Sequence, residues 1–128
     1  MYYNAKWCVT IPFMRDTLDL ARQMVKILED KLGEDILLLD LRGLSDFTDF
    51  FILVTGTSER MLQSLASSVS EKIKAETGLI AVEEGEPDSG WIVLDYGYIV
   101  VHVFSSEKRD YYQLEELWSK AKTLLRLQ

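Results

Sequence analysis

Residues 50–59, FFILVTGTSE, contain in order an apolar run, a tight turn and the first residue of a helical pattern. The run at 50–56 has the length and apolarity of a strand that is covered on both faces. Thr57 and Ser58 carry side chains that cap helices, and Glu59 follows where the helix dipole favours a carboxylate. This stretch therefore predicts a strand–turn–helix unit and, with it, an α/β fold.

Apolar spacing predicts elements on both sides of this unit. A helix is expected before it, capped by Asp16 and ended by Gly33 in a left-handed conformation, with inward residues at helical spacing: Leu18, Ala21, Val25, Leu28 and Leu32. The run at 35–41 reads as a buried strand. The helix that begins after Ser58 is expected to end at Gly78.

The second half of the chain reads as strands followed by a last helix. A short strand is expected at 79–82, then an acidic loop at 83–90, then a hairpin of strands 91–96 and 98–104 around Gly97. After a polar connection, a helix is expected with these residues inward: Leu114, Leu117, Trp118, Ala121, Leu124 and Leu125. The order α-β-β-α-β-β-β-α predicts one domain, a mixed sheet packed with helices.

The chain has 128 residues, a globular composition and a formal net charge of -7. An acidic protein is poorly suited to general nucleic-acid binding, because phosphate contacts need a basic surface. The charge favours a small-molecule ligand or a basic protein partner.

Cysteine content and the N-terminal segment indicate the cellular setting. Cys8 is the only cysteine, which excludes an intrachain disulfide and suits a reducing compartment. With one histidine besides, the chain cannot supply the four ligands of a structural zinc site. No stretch approaches a membrane span, and the first residues do not resemble a signal peptide. We expect a cytoplasmic protein with a flexible N-terminal arm at 1–13 and a single domain at 14–128.

Two features of the sequence allow an enzymatic interpretation. The turn Gly56–Ser58 resembles a phosphate-binding turn at a helix N-terminus, but it lacks the glycines and the lysine of a full phosphate loop, so a plain helix cap is favoured. Metal-dependent nucleotidyl or phosphoryl transfer would need carboxylates that converge from neighbouring strands. The acids near strands are Asp40, Asp46, Asp49 and Asp95, with Asp40 and Asp49 as the first candidates, but no Asp-x-Asp pair follows the turn. No cofactor and no metal site are expected.

His102, the only histidine, has no partner in the sequence that would suit nucleophilic catalysis. Strand alternation places it on one face with Val100 and Phe104, where a structural, hydrogen-bonded role is favoured. The segment EEGEPDSGW at 83–91 allows two readings. It is either a solvated loop or an interface in which an aromatic residue, Trp91, lies among acids.

The segments DLRGLSDFTDFFILVTGTSERMLQSLASSV and EGEPDSGWIVLDYGYIVVHVFSSEKRDYYQLEELW, in this order, closely resemble the ribosomal silencing factor family, RsfS, also called Iojap. The similarity covers about residues 16–119. It implies a nucleotidyltransferase-like α/β fold without the catalytic carboxylates, and a protein that is not an enzyme. Members bind ribosomal protein fourteen of the large subunit, hinder subunit joining and lower translation when nutrients are scarce.

The resemblance also implies a partner-binding patch on Glu84, Trp91, Asp95, Tyr96 and the residues around Gly97. Trp91 and Tyr96 would be its apolar anchors, while Glu84 and Asp95 would pair with basic residues of the partner. The family usually has an acid where this chain has Tyr98, so the contact at that position would differ. The family further suggests a possible homodimer.

Overall fold

The computed structural model describes residues 17–127. The expected arm at 1–13, Cys8 and the expected cap Asp16 lie outside these residues. Among the described residues, no helix is long and apolar enough to cross a membrane.

Helices and strands are interspersed along the chain. They are α1 (Thr17–Asp30), β1 (Glu34–Asp40), β2 (Phe50–Gly56), α2 (Glu59–Thr77), β3 (Val82–Glu86), a 3-10 turn (Pro87–Ser89), β4 (Trp91–Asp95), β5 (Ile99–Ser105), α3 (Ser106–Tyr112), α4 (Leu114–Leu117) and β6 (Lys122–Leu127). The strands form one six-stranded sheet in the order β3-β4-β5-β2-β1-β6. The pair β2–β5 is parallel and the other neighbours are antiparallel. The predicted mixed α/β domain is confirmed.

Helices α1 and α2 cover one face of the sheet and form the main core with it. Leu28 and Leu65 from the helices meet Ile52, Leu94 and Val101 from the strands, and all of these side chains are buried. Burying such residues stabilises the fold by about 1.5–3 kcal/mol per side chain. The buried side chains on this face are almost all apolar, which is typical of a structural core.

The turn at Gly56–Ser58 is a helix cap, as the sequence favoured. The Ser58 hydroxyl accepts a hydrogen bond from the Met61 N–H at 3.1 Å, and α2 ends at Gly78, whose φ is 80°. The first helix ends differently from the prediction. Leu32, not Gly33, takes the left-handed conformation, and it is 73% exposed rather than inward. Gly33 is required for space, because a Cβ there would clash with Val54.

Three other predictions were wrong. Residues 79–81 are not a strand, and the acidic segment at 83–86 is itself the edge strand β3. The polar connection after β5 contains a helix, α3. The expected final helix is a single turn, α4, followed by strand β6, which pairs with β1. Leu117, expected inward, is 73% exposed.

The second face of the sheet is covered only in part. Leu37, Leu39, Leu41, Leu53 and Phe104 form a smaller core there, against which Leu114, Trp118 and Ala121 pack. This cover lies over β1, β2 and β5. No helix among residues 17–127 lies over the half of this face toward the edge strand β3.

Candidate functional site

The uncovered half of the second face presents side chains from three neighbouring strands. Residues paired across neighbouring strands have side chains on the same face of the sheet. The pairs Glu84–Val93, Val93–His102 and Trp91–Phe104 therefore show which residues of β3, β4 and β5 lie on this face. We call the exposed and half-buried members of this half the open face: Val82, Glu84, Glu86, Trp91, Val93, Asp95 and Val100. The open face combines a tryptophan and valines with three carboxylates.

Trp91 is half-buried at the border between the open face and the covered half. Its ring centroid lies 4.9 Å from that of Phe104 and 4.6 Å from that of Tyr112. Its Nε1–H donates to Nδ1 of His102 at 3.2 Å. Packing on two sides and one hydrogen bond hold the indole in a single orientation. A large ring that is already fixed loses little side-chain entropy when a partner covers it.

His102 is buried and hydrogen-bonded, the setting that the sequence predicted for it. It is 6% exposed, and its ring lies edge-on to Phe51 at 4.6 Å between centroids. Burial lowers the pKa of His102 to about 4, since the low-dielectric surroundings disfavour the charged ring. The neutral ring accepts at Nδ1 and so carries its proton on Nε2. No catalytic partner contacts it within residues 17–127.

The carboxylates of the open face are exposed and face solvent. Glu84 and Glu86 lie on the edge strand β3, and Asp95 ends β4. None of them takes part in an ion pair within residues 17–127. Asp95 Oδ1 accepts from the Gly97 N–H at 2.7 Å, which fixes the β4–β5 turn. The open face is therefore a negatively charged surface around an apolar strip.

The two tyrosines of the predicted patch have different positions. Tyr98 is 41% exposed and lies at the end of the open face, in the β4–β5 turn. Tyr96 is 1% exposed and packs in the main core on the opposite face. Burial, with a smaller effect of Glu83, raises the pKa of the Tyr96 hydroxyl to about 12. The expectation that Tyr96 is an exposed anchor is wrong for this structure, because strand alternation directs it away from Trp91.

The structure thus brings three of the five predicted residues onto one face, places Tyr98 at its end and separates Tyr96. Val93 and Val100 were missed, although both could have been found by counting alternate positions from Trp91 and His102. Tyr112, the last residue of α3, packs on Trp91.

The residues that a nucleotidyl- or phosphotransferase would need do not form one site, because Asp40 lies far from the Gly56–Ser58 turn. A polar cavity of about 310 Å³ lies beside the turn, lined among others by Gly56, Ser58, Gly90 and Lys108. Asp40 pairs with Phe50, at the opposite end of β2, which is about 20 Å away at the rise of a strand. Asp40 is bound instead by Arg42, whose Nη2 lies 2.8 Å from Oδ2. Its pKa is lowered by that hydrogen bond. Within residues 17–127 no group of three side chains could hold a metal ion.

A family model and several known proteins match this chain. The family model described as "Ribosomal silencing factor during starvation", RsfS, matches residues 14–128. The ribosomal silencing factor RsfS of Halalkalibacterium halodurans is 36% identical over 107 residues, which cover 83% of this chain and 91% of the relative. A mouse protein named "Mitochondrial assembly of ribosomal large subunit protein 1" is 27% identical over 75% of this chain and 43% of its own length.

Solved structures give the same result at the level of the fold. The crystal structure of a Chromobacterium violaceum protein has a TM-score of 0.75 and 38% identity, and the match covers 80% of this chain and 85% of that one. Taken with the family model and the RsfS relative, this establishes that the chain belongs to the ribosomal silencing factor family, RsfS, which includes Iojap.

Proposed function

We propose that this protein binds the large ribosomal subunit through ribosomal protein fourteen, sterically blocks association with the small subunit and so represses translation under nutrient limitation. It acts in the cytoplasm and catalyses no reaction. The observation that carries the proposal is the open face of a chain of the silencing factor family. In this face a fixed tryptophan is surrounded by exposed carboxylates that form no ion pair within residues 17–127.

Charge supports a ribosomal protein as the partner. The chain has a net charge of -7, and ribosomal proteins present basic surfaces next to RNA. Complementary charge raises the rate of encounter and selects against acidic competitors. A direct contact with RNA as the main interaction is disfavoured by the same charge, because phosphates would be repelled.

The names of the relatives support the same class of partner. The bacterial relatives are named ribosomal silencing factors, and the mouse relative is named for assembly of the ribosomal large subunit.

The roles of the residues follow from their positions. Trp91 is the apolar anchor, since a half-buried aromatic ring in a rigid setting is typical of an interface hot spot. Glu84 and Asp95 pair with lysine or arginine of the partner. Tyr98 contacts the rim with its ring, in place of the acid usual in the family. Tyr96 supports the turn from the core and makes no contact with the partner.

Binding is tested by co-sedimentation of the purified protein with isolated large subunits, and by titration with ribosomal protein fourteen. We expect Trp91→Ala to weaken binding at least about tenfold, the effect of truncating a hot spot. Because this change also removes packing, Glu84→Lys provides a second variant on an exposed position. Leu32→Ala, 73% exposed and outside the open face, is the control. If the wild type binds neither target, the proposed function is wrong.

The absence of a catalytic reaction is tested separately by calorimetry with nucleoside triphosphates and magnesium. We expect no metal-dependent binding, because Asp40 and Asp49 lie at the opposite end of β2 from the Gly56–Ser58 turn. A specific affinity that disappears with a chelator would instead support a nucleotidyl- or phosphotransferase.

A further inference from the structure

The loop between β1 and β2, residues 41–49, presents an apolar surface that the proposed function does not use. Phe47 is 90% exposed, more than any other large apolar residue of 17–127, and Leu44 is 45% exposed. Exposing a phenylalanine ring is unfavourable in the free protein, since it forgoes the stabilisation that burial would bring.

The exposure of Phe47 is built into the loop. The Leu41 N–H donates to the Asp49 carbonyl at 2.8 Å, and the Ser45 N–H donates to the Leu41 carbonyl at 3.0 Å. The Ser45 hydroxyl in turn accepts from the Phe47 N–H at 3.1 Å. Thr48, next to Phe47, is buried. The loop is therefore a folded support that holds the phenylalanine in solvent.

The loop is joined to the end of the open face. The N–H groups of Asp49 and Phe50 both donate to the Tyr98 carbonyl, at 2.9 and 3.0 Å. Asp95 and Tyr98 thus lie at the same end of the sheet as the loop, and Trp91 lies about 13 Å away along β4. A standard interface uses about 20–30 residues a side and would span both regions.

We propose that the loop at 41–49 and Tyr98 continue the open face as one docking surface, with Phe47 as a second apolar anchor for the same basic protein partner. This inference rests on the proposed function. Asp46 and Asp95 are exposed carboxylates here. The nearby cations Arg42 and Lys122 both lie next to Asp40, which offsets part of their charge. A second copy of the chain would bring like charges together at this surface, so a basic partner is favoured over a homodimer contact.

Affinity for isolated large subunits tests the inference, with Phe47→Ala as the variant. Leu32→Ala is the control, because Leu32 is 73% exposed and lies before β1, at the opposite end of the sheet. We expect Phe47→Ala to weaken binding at least about fivefold, as for an interface anchor. Leu32→Ala is expected to bind within about twofold of the wild type, as an apolar residue outside the interface. Unchanged circular dichroism would confirm that both variants fold.

Charge reversal gives an independent measurement. Asp46→Lys is expected to reduce the association rate, whereas Glu71→Lys, exposed on α2, leaves it close to the wild-type value. This difference should shrink at high salt because the charges are screened.

The outcomes separate the two proposals. If Trp91→Ala loses binding while Phe47→Ala binds as the wild type does, the loop is not part of the surface and this inference is overturned alone. If Phe47→Ala instead changes a dimer into a monomer in sedimentation, the loop is a contact between copies and the inference is also overturned. If the wild type does not bind large subunits, the proposed function fails and the inference fails with it.

Discussion

Tyr96 and Tyr98 flank Gly97 in the β4–β5 turn, yet one is buried in the main core and the other is exposed. The difference follows from alternation in β4, since Trp91, Val93 and Asp95 share a face and Tyr96 falls on the other. The same rule could have identified the position of Tyr96 in the sequence. What the sequence could not show is the orientation of the Trp91 ring, because the partners of the ring come from β5 and α3.

At the residue scale, the two tyrosines should respond differently to truncation. Tyr96→Ala removes a fully buried ring and is expected to lower the free energy of unfolding by about 3–5 kcal/mol. Tyr98→Ala is expected to lower it by less than about 1 kcal/mol, as for a surface position. Urea denaturation of both variants measures the two values. Equal losses would contradict the assignment of the two side chains.

His102 should make the stability of the protein depend on pH. The folded-state pKa of about 4 lies below the ordinary value of 6.5, so the folded state binds fewer protons. The contribution of His102 to stability is therefore complete above pH 6.5 and is lost as pH falls toward 4. The expected loss across this window is about 3 kcal/mol, at about 1.4 kcal/mol per pKa unit.

Comparison with His102→Gln isolates this effect from the titration of carboxylates. Unfolding free energies of the two proteins should converge as pH falls from 6.5 to 4, because glutamine does not titrate. A constant difference across the window would show that His102 is not buried in its neutral form.

At the scale of elements, the segment after β5 is the part of the chain whose secondary structure the sequence pattern predicted incorrectly. Leucines at helical spacing predicted one helix, but residues 122–127 form the strand β6 because β1 offers a free edge to pair with. Pairing over such a sequence distance has no local signal, and tertiary contacts override propensity. By contrast, the strand–turn–helix unit at 50–59 was predicted correctly. Its turn has a local signal, the Ser58 cap, and its strand is apolar enough to be recognised without its partners.

Arg109 fastens α3 to the sheet. It is 5% exposed, and its Nη1 donates to the Asp35 carbonyl at 2.8 Å and to the Thr55 hydroxyl at 2.9 Å. Nε donates to Glu115 at 3.2 Å. One guanidinium thus connects β1, β2 and α4, and through α3 it supports the position of Tyr112 against Trp91.

Arg109→Met is expected to destabilise the fold by about 3–5 kcal/mol, the cost of breaking a buried ion pair. Arg109→Lys should rescue little, since an ammonium cannot reproduce the geometry of the guanidinium. The control is Arg126→Met, which removes an exposed pair to Asp35 and should cost less than about 1 kcal/mol. Hydrogen exchange over residues 106–117 should increase only in the Arg109 variants. Similar costs for Arg109→Met and Arg126→Met would contradict the fastening role.

At the scale of the whole molecule, the protein is an acidic α/β domain with one sheet face closed by helices and half of the other left open. Composition predicted the acidic surface and excluded a zinc site. The ordered motifs indicated the family, which the comparisons confirm. The sequence could not show that Asp40 is far from the Gly56–Ser58 turn. This distance follows from the antiparallel pairing of β1 with β2, which places Asp40 beside Phe50 at the other end of β2.

The central claim is that this molecule occupies the large subunit and prevents the small subunit from joining it. The most direct measurement is the amount of joined ribosomes formed when small subunits are added to large subunits preincubated with the protein. We predict that joining falls as the protein is titrated to stoichiometry, and that Trp91→Ala largely restores joining at the same concentration. Undiminished joining at a concentration where the wild type saturates the large subunit would contradict the claim.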